Sequence, residues 1–192
     1  SFSVFLILVA RMGDVSMAAS QAFVALLSLS FMQAVGLAMA VATLVGRYVG
    51  SRDRAGAERS LRTGIRMTWL LAGGVALLFV AFPDALMRIF TSDPEVIALG
   101  RPLLAIGALY QLFDALGIVA DGALRGAGDT RWPFLLRFAL AWGLFLPLAW
   151  LLAIGLEGGL TGAWLAGALY VFALAAVLLR RFHSGAWHHI EI

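Results

Sequence analysis

VSMAASQAFVALLSLSFMQAVGLAMAVATLVG, residues 15–46, runs for 32 positions without a charged side chain. As a helix it would be roughly 48 Å long at 1.5 Å per residue. A bilayer hydrocarbon core is about 30 Å thick. The stretch therefore reads as a transmembrane helix, with tilt or extension beyond the lipid absorbing the excess. The same pattern repeats on both sides of it. Phe2 to Met12 is apolar but short, and reads as the end of a truncated helix closed by Gly13 and Asp14. Downstream, RYVGSRDRAGAERSLRTGIR (47–66) is basic and leads into the apolar run Met67 to Phe82, whose helix is expected to begin near Ala57.

Pro83 ends that helix. In DALMRIF (84–90), Leu86, Ile89 and Phe90 share a helical face that Asp84 and Arg88 do not, the pattern of a short interfacial helix. SDPEV (92–96) marks a new start, with Asp93 as N-cap, Pro94 in the first turn and Glu95 favourable to the helix dipole. That helix is expected to reach Leu124. The next runs from Trp132 to Ile154, where Pro147 predicts a kink by freeing the Gly143 carbonyl. GLEGGLTG (155–162) is a turn, and Leu160 to Leu179 the last span.

The expected architecture is all-α: a polytopic membrane bundle of about six helices, the first truncated. Their ranges are 2–12, 17–46, 57–82, 94–124, 132–154 and 160–179. The bundle fills residues 1–182, and residues 183–192 form a polar, loosely ordered tail. Composition agrees, since 62% of the 192 residues are hydrophobic and 13% charged. Soluble domains are typically about 45–50% apolar and about 25% charged. The first residues carry no initiator Met and no basic segment, so a piece of a longer protein is expected rather than a signal peptide. Cysteine is absent, which excludes thiolate chemistry.

All 14 basic residues are arginines, and eleven of them fall in alternate loops or their flanks. Positive loops stay in the cytoplasm. The basic loops and the C-terminus are therefore expected on the cytoplasmic side, leaving Arg11, Arg88 and Arg101 across the membrane. The arginines flank apolar runs instead of forming a stripe on a soluble face, so nucleic acid is not an expected partner. Membrane lipid is.

DGALRGAGDTRWP (121–133) is then a short cytoplasmic turn between two spans. Asp121 and Arg125 are spaced to pair on the last helical turn. Gly126 and Gly128 permit the reversal, and Asp129 or Thr130 can cap the next helix. The turn, with Arg131, is also a candidate gate. A phosphate-binding loop would need a preceding strand and a following Gly-Lys-Ser/Thr, which this stretch lacks.

ALYQLFDALGIVAD (108–121) holds the most informative residue. Asp114 follows twelve uncharged residues and precedes six, near mid-bilayer. A charge there costs about 2.5–3.5 kcal/mol on insertion scales, and such acids usually face a bundle interior or a water-filled path. Tyr110 lies one turn back on the same face, and Gln111 is three residues back. A lone carboxylate can hold a proton, a sodium ion or an organic cation, but not two at once. That competition is the physical basis of antiport. Helix packing is the alternative role for Asp114. Gln21 and Gln33 either line a cavity or bond across helices, and Gln111 is a further candidate cavity-lining residue. No cofactor and no metal centre are expected beyond a coupling ion, Na+ or H+, and no cluster suggests an enzyme.

Several of these strings resemble multidrug and toxic compound extrusion (MATE) transporters. MAASQ (17–21) is similar to the family's AAxQ segment, and VGRYVGSRDRAGAERSLRTG (45–64) to its first basic loop in the C-terminal lobe. FTSDPEV (90–96), LYQLFDAL (109–116) and GALRGAGDTR (122–131) follow in the family's order and spacing. The resemblance implies one six-helix lobe, the seventh to twelfth helices of a twelve-helix protein, paired with an N-terminal lobe as partner. It also implies sodium- or proton-driven export of organic, often cationic, compounds across the bacterial inner membrane. Tyr110 and Asp114 match positions that the family associates with cation binding. Some members carry a further acid just upstream of the position where this chain begins. A lipid-linked saccharide exporter and a non-transporting membrane assembly subunit are the alternatives.

Overall fold

The computed structural model describes residues 2–189. Among them the chain is helical: α1 (Phe2–Ala10), α2 (Asp14–Gly50), α3 (Arg54–Ala81), α4 (Pro83–Arg88), α5 (Pro94–Gly126), α6 (Arg131–Gly155) and α7 (Gly159–His183), then a 3-10 turn (Ala186–His189). Five of these, α2, α3, α5, α6 and α7, are long and apolar enough to cross a membrane. The helix boundaries follow local chemistry. Asp53 accepts a hydrogen bond from the Gly56 amide at 2.8 Å, so α3 begins at Arg54, earlier than its apolar run suggests. Asp93 caps α5 as expected, accepting from the Glu95 amide at 2.9 Å.

At Pro147, where the sequence predicts a kink, the helix is locally widened. Helix α6 stays continuous and carries wide π turns at Ala141–Phe145 and Leu151–Gly155, on either side of the proline. Such turns change the hydrogen-bonding partner from i−4 to i−5, which accommodates a residue without an N–H. The tail also differs from expectation. Helix α7 continues to His183, and Trp187 folds back, buried, with its indole N–H on the Phe182 carbonyl at 2.8 Å. The last part of the expected tail, residues 190–192, lies outside the described residues.

Helix α5 is the hub, packed on α2, α3 and α7. Over its most apolar stretch 61% of residues are buried, against 22% for α3 and α6. The difference is the signature of a bundle in lipid: outer helices turn residues such as Trp69, Leu70, Phe134 and Phe138 outward. Helices α2 and α5 run parallel, in a register visible at three levels. Gly107 sits against Phe23, Gly122 against Ala38, and Gly126 against Ala42. A methyl group on Gly122 would meet the Ala38 carbonyl oxygen at 2.6 Å, so the two backbones touch there.

The opposite end is tied by Arg101 of α5, which grips Asp84 of α4 with both carboxylate oxygens engaged. Met87 of α4 packs into the space left by Gly100. The hydrogen bond from the Arg101 guanidinium is the main reason that the Asp84 carboxyl titrates below the usual carboxylate range.

Two outcomes follow. Gly122→Val pushes α2 from α5 and lowers stability by about 1–3 kcal/mol, the usual cost of overpacking. Thermal unfolding followed by size-exclusion in detergent reads it as a lower melting temperature. For Asp84, a depressed folded-state value means that the stabilisation is present above the unfolded value of about 3.9 and fades as pH falls through the lower folded value. Melting temperature against pH should therefore drop on the acid side, and Asp84→Asn should flatten that limb.

Candidate functional site

Asp114 projects from the hub helix at the α2–α5 seam. It is half-buried, and its carboxylate makes no hydrogen bond or ion pair among the described residues. Arg137, Tyr110 and Tyr170 are near enough to interact with it electrostatically. Asp114 borders a small void of about 10 Å³, room for roughly one water. Leu27, Ser30, Tyr110 and Gln111 border the same void. The parallel register explains why Ser30 is there. With Phe23 level with Gly107 and Ala38 with Gly122, Ser30 falls level with Asp114. Nothing in the sequence marked Ser30, one of several serines in an uncharged run.

Gln111 is buried, and its amide N–H donates to the Ala72 carbonyl of α3. Tyr110 reaches toward α7, where Gly167 leaves space for its ring, and Trp164 meets it edge-on at 6.1 Å. Trp164 in turn contacts Phe23 at 4.7 Å and Phe5 at 5.0 Å, and donates its indole N–H to Ser20 at 3.0 Å. Tyr110 is thus placed by an aromatic cluster from four elements. Of the other candidate glutamines, Gln33 is exposed and borders a second small void, with Thr68 and Ala72, beside the first. Gln21 is exposed on α2.

Toward the arginine-rich end, where the two backbones meet, a groove of about 360 Å³ runs beside the contact along Ala38, Ala42, Ile118 and Gly122, with Arg125 and Gly126 also lining it. Here the charged turn is locked down. Asp121 pairs with Arg125 at 2.8 Å, as its spacing predicts, and also with Arg137 of α6 at 3.5 Å. Gly128 takes φ +87°, the left-handed conformation that the reversal requires. Gly126 has a different task from the one expected: it lets α5 lie on the Ala42 backbone. Asp129 does not cap α6, and Thr130, at the cap position, makes no side-chain capping bond. The Asp129 carboxylate instead holds Arg181 of α7 at 3.0 Å, and Arg181 lies over the Trp132 ring at 4.7 Å. The guanidinium offers the carboxylate a full opposite charge as well as an N–H, whereas a cap amide offers only a dipole. Arg131 is exposed.

The sequence matches the MatE family over residues 1–151. The chain belongs to that family. Among MatE relatives, a protein named "Probable multidrug resistance protein NorM" from Thermotoga maritima is 36% identical over 160 residues, covering 83% of this chain and 34% of that protein. "Multidrug resistance protein NorM" from Photobacterium profundum is 30% identical, covering 94% and 40%. This MatE chain thus spans well under half the length of the curated relatives it matches. Solved structures share its fold. A multidrug resistance MATE family transporter in an outward-facing conformation superposes with a TM-score of 0.81 at 23% identity, covering 93% of this chain and 40% of its own. A MATE in the straight conformation gives 0.82 at 22% identity, covering 98% and 42%.

The Asp129–Arg181 pair makes a prediction for this MatE fold. Asp129 is 4% exposed and Arg181 26%. Asp129→Ala leaves a partly buried guanidinium without its partner, at about 1–3 kcal/mol after allowing for solvent at Arg181. Limited proteolysis should then cut faster around residues 126–132, while Arg131→Ala leaves the rate unchanged.

Proposed function

We propose that the chain is the C-terminal lobe of a cation-coupled antiporter that exports organic, often cationic, compounds in exchange for Na+ or H+. The observation that carries this reading is the unpaired carboxylate of Asp114 on the most enclosed helix, beside a void and an aromatic neighbour. An acid there is costly unless it is used. Entry of the coupling cation neutralises it, and loss of that cation frees it for another positive charge. Tyr110 supplies a ring face over which an organic cation is attracted. The names of the NorM relatives fit this assignment.

In this reading the partner is an N-terminal lobe of the same protein, and the two rock about a site at their interface. The membrane is the bacterial inner membrane. The arginine-rich end, with the 121–131 turn and the C-terminus, faces the cytoplasm, and the turn contributes to closure on that side. Besides the coupling ion, no cofactor takes part.

Asp114→Asn removes the exchangeable charge and keeps the shape. In the protein of full natural length, reconstituted in vesicles, ion-gradient-driven efflux of a fluorescent organic cation should fall by more than about tenfold, equivalent to about 1.4 kcal/mol or more. Membrane insertion and melting temperature should be unchanged. Efflux at the wild-type rate would remove Asp114 from the mechanism.

A further inference from the structure

We propose that Ser30 and Gln111 are ligands of the coupling cation, which with Asp114 form an all-oxygen site for one monovalent metal ion of about sodium size between α2 and α5. The inference rests on the proposed exchange at Asp114 and extends it to two residues and to the class of ion.

Gln111 carries the first half of the argument. Its Nε2 donates to the Ala72 carbonyl. A carbonyl only accepts, so this contact decides which way the amide lies. The NH2 group faces α3, and Oε1 is left on the other side. That oxygen is buried, and no group among the described residues donates to it. Gln111 is thus anchored by one end and presents the other.

Ser30 carries the second half. A hydroxyl inside an apolar helix commonly gives its proton to a carbonyl one turn earlier. Ser60 does so to Gly56 at 2.8 Å, and Thr68 to Gly64 at 2.9 Å. Ser30 does not, and its buried Oγ is also without a partner. These two orphaned oxygens, from different helices, border the same void as the unpaired Asp114 carboxylate. Buried polar atoms are nearly always satisfied, so two buried orphaned oxygens beside the unpaired carboxylate of half-buried Asp114, around one small space, point to an occupant that all three groups can hold.

The donor set selects the class of occupant. Carboxylate, amide and hydroxyl oxygens suit a hard cation, and no nitrogen or sulfur ligand borders the void to favour a transition metal. One carboxylate matches one positive charge. Divalent ions held by protein usually draw more carboxylates or keep several waters. A proton needs Asp114 alone and can be shared with one neighbouring oxygen, which leaves the other orphaned. A metal ion serves both.

The test is equilibrium binding of radioactive Na+ to the purified protein of full natural length, with each variant first checked for a monodisperse elution profile. Wild type should bind, and Asp114→Asn should not. Ser30→Ala and Gln111→Ala should each weaken affinity by about tenfold, as expected on losing a contact to a charge. Ser30→Thr, which keeps the hydroxyl, should stay close to wild type. Gln111→Glu adds a second carboxylate and should make Ca2+ an effective competitor. If Gln111→Ala fails to fold, the Ser30→Ala and Ser30→Thr pair decides. Wild-type binding by Ser30→Ala, with binding lost in Asp114→Asn, overturns this inference and leaves the exchange at Asp114 standing. So does a wild type that binds no Na+ but exports in response to a proton gradient. Unimpaired binding and export by Asp114→Asn sinks the proposed function itself.

Discussion

The backbone contact between α2 and α5 governs the placement of everything else. Lipid offers no hydrophobic drive to bring two apolar helices together, so their approach depends on close packing and on interhelical hydrogen bonds. Gly122 and Gly126 supply the closeness by letting the Ala38 and Ala42 backbones lie directly on α5. At Gly107 the space is filled by the Phe23 ring, so the seam is tight at one end and wider at the other. Ser30 and Asp114 lie between these levels.

Charge is distributed along the same helix with equal economy. Near α5, Asp84 is gripped by Arg101, Asp121 by Arg125 and Arg137, and Asp129 by Arg181. Each of these acids sits toward a helix end and serves architecture. Asp114 lies between the two paired ends and has no such partner among the described residues. The contrast matters because arginines are at hand. Arg137 already reaches Asp121 and feels Asp114 without closing on it.

Much of this was legible from composition and period. The uncharged runs located the spans, and the spacing of Asp121 to Arg125 named a pair that the fold contains. The i−4 step from Asp114 put Tyr110 on the right face. What stayed hidden depended on contacts between helices distant in sequence. Ser30 became relevant through the register of α2 on α5, which glycines set but which no single segment displays. Asp129 looked like a cap because the local sequence offered only a cap. Arg181, fifty-two residues on, offered a full opposite charge. The π turns around Pro147 were equally beyond local rules, since the sequence shows only that an N–H is missing there.

The half-buried state of Asp114 follows from these constraints and bears on what such a site can do. A carboxylate sealed in apolar packing would bind a cation and keep it, because release would expose a bare charge to a low dielectric. One standing free in water would bind nothing selectively, because the solvent competes at every oxygen. At the seam, Asp114 lies beside α2 and the anchored Gln111 and is half-buried. In the exchange proposed for this site, an ion is stripped of part of its water and still leaves. In that proposal the glycines that bring α2 close, and the Gln111 bond that holds α3, set the balance between holding and releasing, although none of them carries a charge.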